Sequence, residues 1–173
     1  MNKKVVLVTG ASGSMGSQVL KSVMETGKFK SIILLRKKPS NEKLAAKLQK
    51  EYGADLEVVF GDLDNKKDCE YCVAKSDYVI HCAAVIPPIS DHNPKAAKKA
   101  NLDGTIKLID SIRESDRADQ IKYVHIGTIA EYGNRDWKHP WGPRGRSSYA
   151  QRIRLLRDHQ TPRREISARE HSS

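Results

Sequence analysis

Apolar runs rich in β-branched residues recur along the chain at 4–9, 31–35, 56–60, 77–82 and 121–127. Between them lie stretches whose apolar positions return every three to four residues: 14–26, 40–52, 65–75 and about 94–115. The first pattern is that of buried strands, the second that of helices laid over them. Strand and helix in strict alternation predict an α/β fold, a doubly wound parallel sheet with right-handed crossovers. Local signals set several boundaries. Pro39-Ser40 opens the second helix with Ser40 as N-cap, and Gly53 closes it. Pro87-Pro88 breaks the chain after the fourth run, and Asn93-Pro94 starts the long helix. From Trp137 the pattern dissolves into a loop-like stretch, then a short apolar run (Ile153, Leu155, Leu156) among arginines. One domain over 1–142 and a poorly ordered basic tail over 143–173 are expected, because such a tail has little apolar surface to offset its ordering entropy.

Charge sharpens that boundary. The chain carries a net charge of +10. Residues 1–142 hold 19 Lys and 4 Arg against 18 acids, whereas residues 143–173 hold no Lys and 8 Arg against 3 acids. So abrupt a change from lysine to arginine is not a drift along one domain. The arginine tail is the sole support for nucleic-acid binding, and no aromatic stacking pattern accompanies it. No apolar run approaches the ~20 residues of a membrane span, and the opening Met1-Asn2-Lys3-Lys4 precedes too short an apolar stretch for a secretory signal. A cytoplasmic protein without membrane contact is expected. Cys69 and Cys72 form a lone C-x-x-C in a helix-patterned stretch with no second ligand pair. They read as two side chains on one helical face, with no metal site, and Cys82 reads as strand core.

The richest chemistry lies in Val5-Val6-Leu7-Val8-Thr9-Gly10-Ala11-Ser12-Gly13-Ser14-Met15-Gly16. A buried strand ends in three glycines spaced three apart and is followed by an amphipathic stretch (Val19, Leu20, Val23, Met24). Glycines let the backbone approach a pyrophosphate, and a helix start presents unpaired N–H groups and roughly half a positive charge to it. Gly10, Ser12, Gly13, Ser14, Met15 and Gly16 are therefore candidate cofactor-binding residues.

Five segments, in order, resemble the extended short-chain dehydrogenase/reductase family, the epimerase/dehydratase and NADP-type ketone-reductase group. Thr9–Gly16 matches its T-G-x-x-G-x-x-G, and Gly61-Asp62-Leu63-Asp64 falls where the family's Asp contacts adenine. His81-Cys82-Ala83-Ala84 matches H-x-A-A, Asn101–Thr105 matches N-x-x-G-T, and His125–Gly133 is similar to the S/T-x-x-x-Y-G segment. The resemblance covers roughly 1–142 and implies a Rossmann-type fold that holds a dinucleotide. It adds Asp62 and Leu63 to the cofactor residues. Ala83 would let the cofactor pass the sheet edge, and Asn101 would hold the active-site backbone. Thr128, at a strand end, would polarise a substrate carbonyl as the one catalytic candidate. Small carbonyl compounds or sugar nucleotides are the implied substrates of intact relatives, with homodimers formed through their long helices. A non-catalytic module that senses NADP is the alternative.

Cofactor choice turns on the second strand's end, where NAD-selective sites carry an acid for the ribose hydroxyls. The chain has Ile33-Leu34-Leu35-Arg36-Lys37-Lys38-Pro39, with no acid in reach. Arg36 can grip a 2′-phosphate, so NADP is the preferred cofactor and NAD the alternative. The family's general acid is a tyrosine followed four residues on by a lysine, whose charge lowers the phenol's pKa. The only tyrosine after the Tyr132 segment is Tyr149, followed by Ile153 at that spacing, and no lysine follows Lys138. The chain is expected to be catalytically incompetent, a truncated N-terminal part of the family's domain. One extra base near Gly142-Pro143 would explain this. Read in the shifted frame, Leu156–Gln160 followed by Thr161 permits Tyr-Ala-Thr-Thr-Lys.

Overall fold

A computed structural model describes residues 3–128. Within them five parallel strands form one sheet: β1 (Lys4–Thr9), β2 (Phe29–Leu35), β3 (Leu56–Phe60), β4 (Tyr78–His81) and β5 (Lys122–His125). Their order is β3-β2-β1-β4-β5. The chain winds outward from β1 to β3, then crosses back to lay β4 on the other side of β1. That reversal is the topological switch point, where open α/β sheets leave a crevice at the carboxyl ends of their strands.

Helices α1 (Ser14–Glu25), α2 (Pro39–Tyr52), α3 (Lys66–Ala74), α4 (Ile89–His92), α5 (Pro94–Lys98) and α6 (Gly104–Arg113) link the strands, and a π-helical stretch over Lys99–Asp103 joins α5 to α6. Strand alternation divides the core between two faces. Leu7, Ile32, Leu34 and Val79 pack with Cys69, Cys72 and Val73 of α3 and with Leu108 and Ile112 of α6. Val6, Val8, Ile33 and Leu35 pack with Leu20 of α1 and Ala45 of α2. Leu7, Val8, Ile33 and Val79 are fully excluded from water, at about 1.5–3 kcal/mol each relative to exposure. The two faces explain why the strands read as continuous apolar runs.

The expected elements are present, with local corrections. Lys38, not Ser40, is the N-cap of α2, because Pro39 takes the first helical position, where its fixed φ and missing N–H cost nothing. Gly53 ends that helix at φ 54°. The long helix starts at Pro94 under an Asn93 cap, whose side chain accepts from Ala96 N at 3.0 Å. It contains the π stretch and ends at Arg113 rather than near 115. β5 stops at His125, since β4, its ladder partner, ends at His81. Thr128 consequently lies past the strand rather than on it. Cys69 and Cys72 share the α3 face in the core, and burial pushes both thiols up to about 12, which leaves them unreactive. Cys82 lies just beyond β4 and is only half-buried.

The chain divides into two compact units, Met1–Ile126 and Gly127–Ser173. The expected boundary at 142, the tail and Tyr149 lie outside the described residues. Among the described residues no helix is long and apolar enough to cross a membrane.

Candidate functional site

The β1–α1 turn is built around close backbone approach. Gly10 adopts φ 74°, and a Cβ there would sit 2.7 Å from Ala83 N and 2.8 Å from Cys82 C. Only glycine fits both the conformation and the space. A Cβ on Gly16 would lie 2.2 Å from Gly10 O, so α1 rests directly on the turn. Gly13 N donates to Gly10 O at 2.9 Å and closes the loop. Gly13 occupies the N-cap of α1 with extended backbone and no capping side chain, and no acid stands in the first turn. The first N–H groups of α1 therefore lack an intrahelical partner by geometry, at an end whose dipole favours an anion. Ser12, Gly13, Ser14 and Met15 are exposed there, while Gly16 is buried.

The parallel register brings the other candidates to the same edge. Thr9 pairs with Leu34 and with His81, and Leu35 pairs with Phe60. Arg36, Asp62, Leu63 and Ala83 follow these strand ends. Arg36 Nε lies 2.9 Å from Asp62 Oδ2. The expectation of no acid in reach of Arg36 is thus corrected, because the carboxylate arrives from the end of β3 and not from the run after β2. Asn41 Nδ2 donates to Arg36 O at 2.7 Å and fixes that turn. Asp62 does not cap α3. Asn65 is its N-cap, accepting from Lys67 N at 3.1 Å, whereas Asp62 Oδ1 accepts from Asp64 N at 3.1 Å. Leu63 packs beneath Gly104, whose added Cβ would meet Leu63 Cβ at 3.1 Å.

Asn101 holds the loop after β4 with both ends of its amide: Val85 N donates to its Oδ1 at 2.7 Å, and its Nδ2 donates to Val85 O at 2.8 Å. Thr128 is exposed and belongs to the second unit.

Three residues carry the interior of the site without having been assigned a role from sequence: Thr9, His81 and Thr105. His81 is 1% exposed. Its Nδ1 lies 2.6 Å from Thr9 Oγ1 and its Nε2 lies 2.8 Å from Thr105 Oγ1. Burial, with a smaller contribution from the charge of His125, pulls its pKa from 6.5 to about 4. His125 and Tyr123 stack alongside, with ring centroids 5.4 and 6.4 Å from His81. A histidine closing an apolar strand, with threonines at Thr9 and Thr105, was the available signal. A further charge cluster lies beside the Asp62 turn: Asp64 pairs with Lys99 at 2.7 Å and with Lys107. These hydrogen-bonded cations hold the Asp64 carboxyl below its usual range. A groove of about 300 Å³ is lined by Leu20, Leu44, Leu48 and Tyr52 of α1 and α2, and takes only Ala11 from the turn.

Comparison with known proteins agrees with this geometry. The family model described as "NAD dependent epimerase/dehydratase family" matches residues 6–152. The capsular polysaccharide biosynthesis protein CapD of Staphylococcus aureus is 31% identical over 133 residues, 74% of this chain and 22% of that protein. A UDP-N-acetylglucosamine 4,6-dehydratase (inverting) of Campylobacter jejuni is 30% identical over 116 residues, 66% of this chain and 34% of its own length. Among solved structures, UDP-glucuronic acid 4-epimerase from Bacillus cereus, in complex with UDP-glucuronic acid and NAD, superposes with a TM-score of 0.62. It is 20% identical, over 76% of this chain and 42% of that one. The chain spans about a fifth to a third of the length of these two curated relatives.

Proposed function

Because the chain belongs to the NAD-dependent epimerase/dehydratase family, we propose that it binds a nicotinamide dinucleotide in the crevice between the ends of β1 and β4, as the cofactor-holding part of an epimerase, dehydratase or reductase. The observation that carries the reading is the Gly10–Gly16 turn, in which every added Cβ would meet backbone while the uncapped start of α1 is left exposed. The Ser14 and Met15 N–H groups would hold the pyrophosphate, with Gly13 giving it room to approach and Ser12 beside it. Asp62 and Leu63 meet the adenine, and Ala83 leaves room for the cofactor to pass over the sheet edge. Asn101 secures the loop behind it.

NADP is the preferred form. Arg36 is a planar donor suited to a 2′-phosphate, and its exposed pairing with Asp62 is weak enough to be exchanged for a doubly charged ligand. In intact relatives the substrate would be a small carbonyl compound or a sugar nucleotide, and there the residue at the place of Thr128 would polarise the reacting carbonyl; the location is the cytoplasm. The bound nicotinamide supplies hydride chemistry. Over residues 139–173 no lysine stands four places after a tyrosine, so these residues do not supply the family's tyrosine–lysine proton donor. The second reading is a dinucleotide-sensing module. Titration with NADPH and NADH tests binding, and carbonyl-dependent NADPH oxidation separates the two readings.

A further inference from the structure

We propose that His81 is the positioning residue of this crevice: through the Thr9 hydroxyl, its ring fixes the Ala83 amide against which the Gly10 turn closes. The effect on affinity rests on the dinucleotide reading, whereas the effect on Ala83 needs no cofactor.

The direction of the network follows link by link. Thr105 Oγ1 lies 2.9 Å from Asn101 O, a carbonyl that can only accept, so the hydroxyl proton points there. The same oxygen then accepts from His81 Nε2 at 2.8 Å, which puts the ring proton on Nε2. Nδ1 is left as a lone pair and accepts the Thr9 hydroxyl at 2.6 Å. Thr9 Oγ1, its proton committed, accepts from Ala83 N at 3.3 Å. Ala83 N is also the atom that lies nearest to a Cβ built on Gly10. The relay therefore ends on the backbone that sets how closely the turn packs against β4. At its other end stands Asn101, which clasps Val85. An apolar side chain could fill the same volume without desolvating two ring nitrogens. The imidazole carries that cost with both nitrogens in use.

Long-range proton–nitrogen NMR of the ¹⁵N-labelled full chain reads the tautomer directly, and the expected ring is protonated at Nε2 with Nδ1 bare. Two substitutions split the relay. H81N carries an amide at the Nδ1 position and keeps the Thr9 link, whereas H81Q reaches the Nε2 position and loses it. Amide exchange at Ala83 should stay within about threefold of wild type in H81N and rise about tenfold in H81Q and in T9V, one hydrogen bond's worth. NADPH dissociation constants should follow the same order. Should H81Q fail to fold, T9V and the wild-type tautomer still decide the matter. Equal losses in H81N and H81Q, unchanged Ala83 exchange in T9V, or a ring protonated at Nδ1 would overturn the proposal. If wild type takes up neither coenzyme, the dinucleotide reading fails, and Ala83 exchange alone judges His81.

Discussion

Gly16→Ala is the perturbation whose outcome follows most directly from the geometry. The new methyl would lie 2.2 Å from Gly10 O and 2.5 Å from Gly10 C. Ordinary contact begins at 3.4 Å, so α1 and the turn must part by roughly an ångström. Gly10 cannot yield, because its other side already abuts the backbone of Cys82 and Ala83. The separation must therefore come from α1 lifting, which also strains the Gly13 N to Gly10 O bond. Overpacking of this kind costs about 1–3 kcal/mol, and weakening a backbone hydrogen bond adds about 1 kcal/mol. Better helix propensity returns about 1 kcal/mol. A net loss of about 1–3 kcal/mol in urea unfolding is expected. Moving the first N–H groups of α1 by that distance should weaken NADPH binding by one to two orders of magnitude, read by coenzyme fluorescence. Gly27→Ala is the control. At φ 66° with nothing within 4 Å, it should lose about 1–2 kcal/mol of stability and leave NADPH affinity unchanged. If G16A binds NADPH as wild type does, or if G27A loses affinity in parallel, the packing argument is wrong.

Five further outcomes follow. Arg36→Ala should weaken NADP by about 10- to 100-fold, the worth of charge-assisted bonds, and leave NAD within twofold in isothermal titration. Asp62→Asn removes the acid 2.9 Å from Arg36, and the NADP-to-NAD affinity ratio should rise a few-fold, since exposed pairs contribute at most about 1 kcal/mol. A fall in that ratio would refute the reading of the pair. Urea unfolding across pH tests His81. Because its pKa drops from 6.5 to about 4 on folding, the unfolded chain takes up a proton that the folded chain refuses. Its contribution is complete above pH 6.5 and is lost as pH falls towards 4, by about 3 kcal/mol, and H81N should flatten that part of the profile. No carbonyl-dependent NADPH oxidation is expected from the chain as written, whereas nucleotide sequencing across codon 142 should reveal an extra base; an intact frame there contradicts the tail's origin.

The fold was legible because both of its periods are strong. Continuous apolar strands such as Val5–Val8 and 3.6-period helices admit few topologies once right-handed crossovers are imposed. The glycine turn was legible too, since Gly10 and Gly16 answer to local backbone constraints that spacing records. The Arg36–Asp62 pair was not. It joins residues 26 positions apart that meet only because β2 and β3 are register-matched neighbours. The His81 relay was equally hidden, since Thr9, His81 and Thr105 come from three elements and look, one at a time, like ordinary strand and helix residues. Ser40 misled because a good capping residue beside Pro39 is displaced once proline claims the first helical position.

Calorimetric titration of the folded full chain with NADPH and with NADH, repeated with G16A, tests the central claim most directly. Saturable binding at one site, tighter for NADPH and weakened at least tenfold by G16A, is the result this account predicts. Absence of heat with both coenzymes, or binding that ignores Gly16, would contradict it.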